Sequence, residues 1–210
     1  MALASKDGFF ITFEGIDGCG KTTQAMLTYR LLKQHGYQVE LLREPGSTKV
    51  SERIRDILLD RRLKIDSTTE LLLYEAARAN ITTSEITPML RAGKTVLCDR
   101  FYDSTTAYQG YGRRLDIAMV RRLHKVAVGD ITPDLTLVFD LGLDEAFSRR
   151  QGTPDRLEAQ SRAFFKRVRG GFLEIARLER RRVKVVDASP DADTVFAQVR
   201  KILARRINLK

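Results

Sequence analysis

The stretch Phe9-Phe10-Ile11-Thr12-Phe13-Glu14, followed by Gly15-Ile16-Asp17-Gly18-Cys19-Gly20-Lys21-Thr22, decides the fold. The first six residues are β-branched or aromatic in the main and predict a short buried strand. The next eight match G-x-x-x-x-G-K-[ST] in full. From Lys21 to Gln34 no breaker occurs, and Met26, Leu27, Tyr29, Leu31 and Leu32 form an apolar stripe before Gly36 closes the segment. Strand, glycine-rich loop and helix is the context in which this motif wraps a phosphate: its backbone N–H groups turn inward and the helix N-terminus adds partial positive charge. The segment Gly15, Ile16, Asp17, Gly18, Cys19, Gly20, Lys21, Thr22 and Thr23 is therefore expected to bind a nucleoside triphosphate. Lys21 reaches the β- and γ-phosphates, and the Thr22 hydroxyl ligates Mg²⁺.

Working outward, strand-like runs alternate with helical ones. Further strands are expected at Tyr37–Leu42, Thr95–Asp99, Leu135–Leu141 and Val183–Val186. Helices are expected around Val50–Leu58, over Thr69–Asn80, up to Gly93, and over Asp116–Val128, Ala159–Arg180 and Asp191–Arg206, with Gly170-Gly171 a place where the long one could bend. Five short strands alternating with helices predict an α/β domain: a five-stranded parallel sheet with helices on both faces. No repeat or linker divides the chain, so residues 1–210 read as one domain.

At 210 residues the chain can bury its own core. Its 43% hydrophobic and 30% charged content fits a soluble globular protein rather than a disordered one. No apolar run approaches the ~20 residues of a membrane span, and MALASKDGFFITFE lacks the pattern of a secretory signal. Two cysteines are too few for a disulfide framework, which favours the cytoplasm. The net charge of +10 is unevenly placed: residues 1–148 hold 20 basic and 20 acidic side chains, residues 149–210 hold 17 and 7. Such a basic third suits polyanions, small or large. The run Arg180-Arg181-Arg182 reads as a solvated face.

The loop motif says only that a triphosphate binds; the acceptor must come from elsewhere. Asp99-Arg100-Phe101-Tyr102-Asp103-Ser104-Thr105-Thr106-Ala107-Tyr108-Gln109-Gly110 begins at the carboxyl end of a buried strand, the side on which parallel sheets bind ligands. Arg100 there can clamp a phosphate with two hydrogen bonds, and Asp99 joins Thr22 as an expected metal ligand. Taken alone, Asp99 also reads as a helix cap, Tyr108 and Tyr74 as core residues, and Arg55 and Arg78 as surface arginines. Cys19 reads two ways: a thiolate favoured by a helix N-terminus and Lys21, or a small filler beneath the loop.

The elements FEGIDGCGKTTQ, REPGST with SERIRDILL, LLLYEAARAN, DRFYDSTTAYQG and PDRLE, in this order, resemble bacterial thymidylate kinases over nearly the whole chain. The resemblance implies a P-loop kinase fold with a short LID at about residues 149–158, and transfer of phosphate from ATP, with Mg²⁺, to dTMP. It implies roles by position. Asp17 stands beside the sugar 3′-hydroxyl and the metal, Arg55 and Arg100 bind the dTMP phosphate, and Tyr74 stacks on thymine where the family usually has Phe. Arg78 donates to a pyrimidine carbonyl. Thr105 and Gln109 read the base edge or support its reader, Tyr108 crowds the 2′ position, and Glu44 orders the loop around the acceptor. Gly18 stands where some members carry an arginine, so the transition-state charge is expected from Arg149 and Arg150 in the LID, with Arg156 the alternative. Gln151 replaces a further family arginine. The resemblance also implies a homodimer, with small nucleotides as partners and neither nucleic acid nor membrane. The competing readings are a kinase for another nucleoside monophosphate, a nucleic-acid-stimulated ATPase, and a catalytically dead nucleotide-binding module.

Overall fold

Strand β1 (Phe10–Glu14) lies at the centre of the sheet because every one of its side chains is buried. The computed structural model describes residues 8–150 and 152–208, so the readings of residues 1–7 and of Gln151 lie outside the described residues. After β1 come α1 (Lys21–Gln34), β2 (Val39–Arg43), α2 (Lys49–Leu59) and α3 (Ser67–Ile81). A π-helical turn at Thr82–Ile86 joins α3 to α4 (Thr87–Arg91), and β3 (Thr95–Asp99) follows. Then come α5 (Tyr102–Thr105) with a π-helical turn over Thr106–Gly112, α6 (Ile117–Val128), β4 (Leu135–Asp140), α7 (Leu143–Ser148), α8 (Arg162–Leu178), β5 (Val183–Asp187) and α9 (Ala192–Leu203). The sheet runs β2-β3-β1-β4-β5. All pairs are parallel, with Phe10 opposite Val96 and Ile11 opposite Leu135.

Alternation along the strands sorts the core onto two faces. Phe10, Val96 and Cys98 pack with Ile81, Ile86 and Leu90 of the α3–α4 segment. Ile11, Phe13 and Leu97 belong to the larger cluster with Leu32 of α1, Phe165 and Phe172 of α8, and Val199 of α9. Burying a side chain such as Phe13 or Leu97 completely stabilises the fold by about 1.5–3 kcal/mol. The chain order leaves β1 flanked by β3 on one side and β4 on the other, so its carboxyl end opens into the crevice where such sheets bind ligands.

Several expectations need correction. α8 continues through Gly170-Gly171 without a break. A Cβ at Gly171 would sit 2.7 Å from the Tyr111 ring, and one at Gly112 would sit 2.7 Å from Phe164. Gly171 and Gly112 serve close helix packing. Arg182 is not on a solvated face. Arg180 and Arg181 are exposed, but Arg182 retains only 9% exposure and pairs with Asp103 at 2.6 Å and Glu179 at 2.6 Å, while donating to Thr136. Helix α7 was missed because its six residues are too few for a periodic signal. Among the described residues no helix is long and apolar enough to cross a membrane.

Candidate active site

The loop after β1 turns on three glycines with positive φ: Gly15 at 141°, Gly18 at 89° and Gly20 at 83°. Side chains resist such backbone angles, which is the local reason for the motif's spacing. Gly18, Cys19, Gly20, Lys21, Thr22 and Thr23 line a cavity of about 880 Å³ that Arg149, Ala188 and Pro190 also line. Gly15 and Ile16 do not line it. The Gly15 carbonyl accepts from Arg100 Nη1 at 2.8 Å, and the Ile16 side chain is buried in the core. Cys19 is a filler: it is 2% exposed, its sulfur occupies the space a Cβ on Gly15 would need, and burial pushes its pKa up. The expectation of a thiolate fails because desolvation outweighs the charge of Lys21.

Asp17 faces away from this cavity and lines a second one of about 550 Å³. Lys21 Nζ approaches its Oδ1 at 3.3 Å from the triphosphate side. Arg100 pairs with the same oxygen from the other side, and the Tyr108 hydroxyl donates to Oδ2 at 3.0 Å. Burial opposes the charge, yet Arg100 and Lys21 hold the Asp17 carboxyl well below the usual range. One carboxylate thus divides the two cavities and remains ionised.

Arg100 sits at φ 71°, a left-handed conformation that costs a residue with a Cβ roughly 1–2 kcal/mol. Its N–H bonded to the Phe13 carbonyl at 3.0 Å helps hold it there, and the guanidinium also donates to Ser104 Oγ at 3.0 Å. Such a conformation persists only where the surroundings over-determine it. Opposite, Arg55 on α2 donates to the Pro45 carbonyl at 3.0 Å and has no carboxylate partner among the described residues. Burial and the nearby charge of Arg43 lower its pKa, so an arriving anion is favoured there.

The far end of the second cavity is built by α3. Its spacing places Tyr74 and Arg78 on one face, and both line the cavity. Arg78 is buried among Glu44 at 2.9 Å, Glu75 at 2.7 Å and Thr105 Oγ1 at 2.8 Å. Burial pushes the Glu44 carboxyl up to about 7, with Arg78 pulling against it. Thr105 therefore supports Arg78. Gln109 and Tyr108 reach the cavity from the π-helical turn after α5, where the widened backbone also brings Gly112 against α8. All nine residues expected around the acceptor line this one cavity. Glu70, Ser104, Asp155 and Leu157 were not foreseen. Ser104 lies within DRFYDSTTAYQG, Asp155 and Leu157 within PDRLE, and Glu70 one turn before Tyr74, so each had a signal in the sequence.

The LID arginines lie in different places. Arg149 pairs with Glu145 at 2.5 Å, donates to the Ala188 and Ser189 carbonyls, and faces the triphosphate cavity. Arg150 lies over the Phe147 and Phe165 rings, with Nε 3.5 Å from the Asp17 carbonyl and a buried Nη2 that lacks a partner among the described residues. Arg156 turns away from the loop and pairs with Glu70 at 2.6 Å. An arginine at position 18 could not substitute, since its Cβ would run into the Ala146 carbonyl.

Thr22 Oγ1 donates to Asp99 Oδ2 at 2.5 Å, and Asp99 Oδ1 is buried without a partner among the described residues. That free oxygen beside a hydroxyl fits a hard divalent cation. No group of three or more carboxylate, imidazole or thiol side chains placed to hold a metal ion occurs among the described residues, so an ion there would need its remaining ligands from outside the chain.

A phosphate-wrapping loop, and an acceptor cavity meeting it across one carboxylate, define a P-loop phosphotransferase that brings two nucleotides together. The family model described as thymidylate kinase matches residues 13–199. The chain is 45% identical over 194 residues to a thymidylate kinase of Kosmotoga olearia, covering 91% of this chain and 93% of that protein. It is 44% identical over 209 residues to one of Geobacter sulfurreducens, covering 95% and 98%. A crystal structure of thymidylate kinase from Ehrlichia chaffeensis superposes with a TM-score of 0.78 at 37% identity, covering 94% of this chain and 98% of that one. The chain belongs to the thymidylate kinase family.

Proposed function

We propose that the chain, acting as a single domain, transfers the γ-phosphoryl group of ATP to dTMP, giving dTDP and ADP. The observation that carries this reading is the meeting of the two cavities at Asp17, with Lys21 on one side and Arg100 on the other. A phosphate oxygen of dTMP attacks the γ-phosphorus as the bond to the β-phosphate oxygen breaks. The nucleophile is already anionic, so positioning and charge neutralisation are the protein's main tasks. Lys21 and the loop amides hold the donor. Arg55 and Arg100 neutralise the acceptor phosphate, which otherwise repels the donor. Tyr74 stacks on the base, Arg78 donates to its carbonyl, Gln109 contacts its edge, and Tyr108 crowds the 2′ position. Asp17 accepts from the sugar 3′-hydroxyl. Thr22 and Asp99 would hold Mg²⁺, which would supply charge neutralisation at the donor phosphates. Of the LID arginines, Arg150 is better placed for the migrating group and Arg149 for the donor.

We also propose a cytoplasmic homodimer that does not act on nucleic acid. Ile57, Leu72 and Val126 are exposed apolar side chains on the packed helices α2, α3 and α6, a surface suited to a second copy. The test of the activity is a coupled ADP-release assay across nucleoside monophosphates. dTMP should be used best, dUMP less well, and dCMP, dAMP and dGMP far less. Comparable specificity constants for dTMP and dCMP would refute the assignment of the acceptor, and ATP turnover stimulated by DNA or RNA alone would favour the nucleic-acid reading.

A further inference from the structure

Glu70 has no solvent exposure, and its carboxylate joins three separate parts of the chain. Its Oε1 accepts from Gln109 Nε2 at 2.8 Å and from Arg113 Nε at 3.1 Å. Its Oε2 accepts from Arg113 Nη2 at 3.0 Å and pairs with Arg156 Nη1 of the LID at 2.6 Å. Glu70 does not itself line the acceptor cavity, whereas Gln109 does. The hydrogen bonds of the two arginines and the glutamine hold the Glu70 carboxyl ionised against its burial. An ionised carboxylate only accepts hydrogen bonds. The Gln109 amide must then turn its NH₂ group to Glu70, and its carbonyl oxygen is the polar end left for the cavity. A side-chain amide taken alone could face the base either way round.

We infer that Glu70 is a positioning residue that sets the hydrogen-bond polarity of Gln109 and thereby the choice of pyrimidine. The inference rests on the proposal that the second cavity takes dTMP. A carbonyl facing the base edge accepts the N3–H of thymine or uracil and repels the N3 lone pair of cytosine. Sites built around such a bond discriminate strongly, because the wrong partner leaves buried polar groups unpaired. Through Arg156 the same carboxylate also pairs with the segment after α7.

The substitution Glu70→Gln tests this, because it keeps the shape and alters only the donor pattern. A glutamine at 70 meets fewer donor clashes with its carbonyl toward Arg156 and Arg113 Nη2, the two donors at the Oε2 position. Its NH₂ then faces Gln109, which must answer with its carbonyl and turn its own NH₂ into the cavity. The expected result is a fall of about tenfold or more in the ratio of kcat/KM for dTMP to that for dCMP, larger than for Glu70→Ala, in which either Gln109 orientation is open. A merely structural role predicts the reverse order, with the truncation worse and the ratio unmoved. Thermal midpoints and ATP binding are measured alongside. Should E70Q fail to fold, Arg113→Gln asks the complementary question. It leaves the carboxylate facing Gln109 and should keep the wild-type ratio, and loss of selectivity in that variant overturns the inference. An unchanged ratio in folded E70Q overturns it as well. If the wild-type enzyme itself does not prefer dTMP, the acceptor assignment fails instead.

Discussion

Arg100 and Arg182 are chemically identical side chains with opposite duties. Arg100 lines the acceptor cavity and touches Asp17, whereas Arg182 lines neither cavity and neutralises the buried Asp103. Arg100→Ala should lower kcat/KM by the equivalent of roughly 2–5 kcal/mol, as expected for removing one partner of a desolvated charge cluster. Arg182→Ala should instead lower folding stability by about 3–5 kcal/mol, because Asp103 is left buried without its countercharge. Its kcat/KM below the thermal transition should fall much less than that of Arg100→Ala. Urea unfolding and initial rates on the two variants separate these outcomes. Equal activity losses would show that the acceptor phosphate does not meet Arg100.

Where elements meet, charge placement becomes a property of the junction. The carboxyl of Glu14, at the end of β1, takes the Phe101 N–H at 2.7 Å and the Ser104 hydroxyl at 2.5 Å, which ties the strand to the start of α5. Burial and the charge of Asp103 push its pKa up to about 8. The folded form therefore keeps a proton that the unfolded chain releases above about pH 4.3, so this contribution to stability is full below that pH and is lost as pH rises through about 8. The stability of Glu14→Gln relative to wild type should rise between pH 5 and 8 by a few kcal/mol, on the order of 1 kcal/mol per unit. A difference independent of pH in denaturant titrations would contradict this. The LID makes a second junction. Arg150→Ala should lower kcat by up to the ~10³-fold scale of arginine fingers with little change in nucleotide binding. Arg149→Ala should mainly raise the KM for ATP. Steady-state kinetics on both variants checks the split, and the reverse pattern would exchange their roles.

For the molecule as a whole, chemical reactivity follows burial. Cys19 is 2% exposed and Cys98 is fully buried, and burial raises both thiol pKa values. Neither thiol should react with iodoacetamide in the native protein at a rate above that of unfolding, and denaturant should release both together. Rapid labelling of Cys19 slowed by Mg-ATP would show that the loop opens locally. Sequence and tertiary structure divide the account of this protein along the range of the forces involved. Local pattern was enough for the strands, the longer helices, the glycine-rich loop and the Tyr74–Arg78 face, because backbone preference and helical or strand periodicity act over a few residues. Short or irregular pieces escaped it: α7 spans only six residues, and the π-helical turn at Thr106–Gly112 packs its Gly110 against α6 and its Gly112 against α8. Burial and ion pairing are not local. Arg182 meets Asp103 across 79 positions, and Gln109 meets Glu70 across 39. Sequence alone therefore established the phosphate loop and, through its motifs, the family. Only the tertiary structure decided which arginine pairs with the buried Asp103, that both thiols are buried, and which carboxylate accepts from Gln109, because each depends on what distant segments bring to the same low-dielectric space.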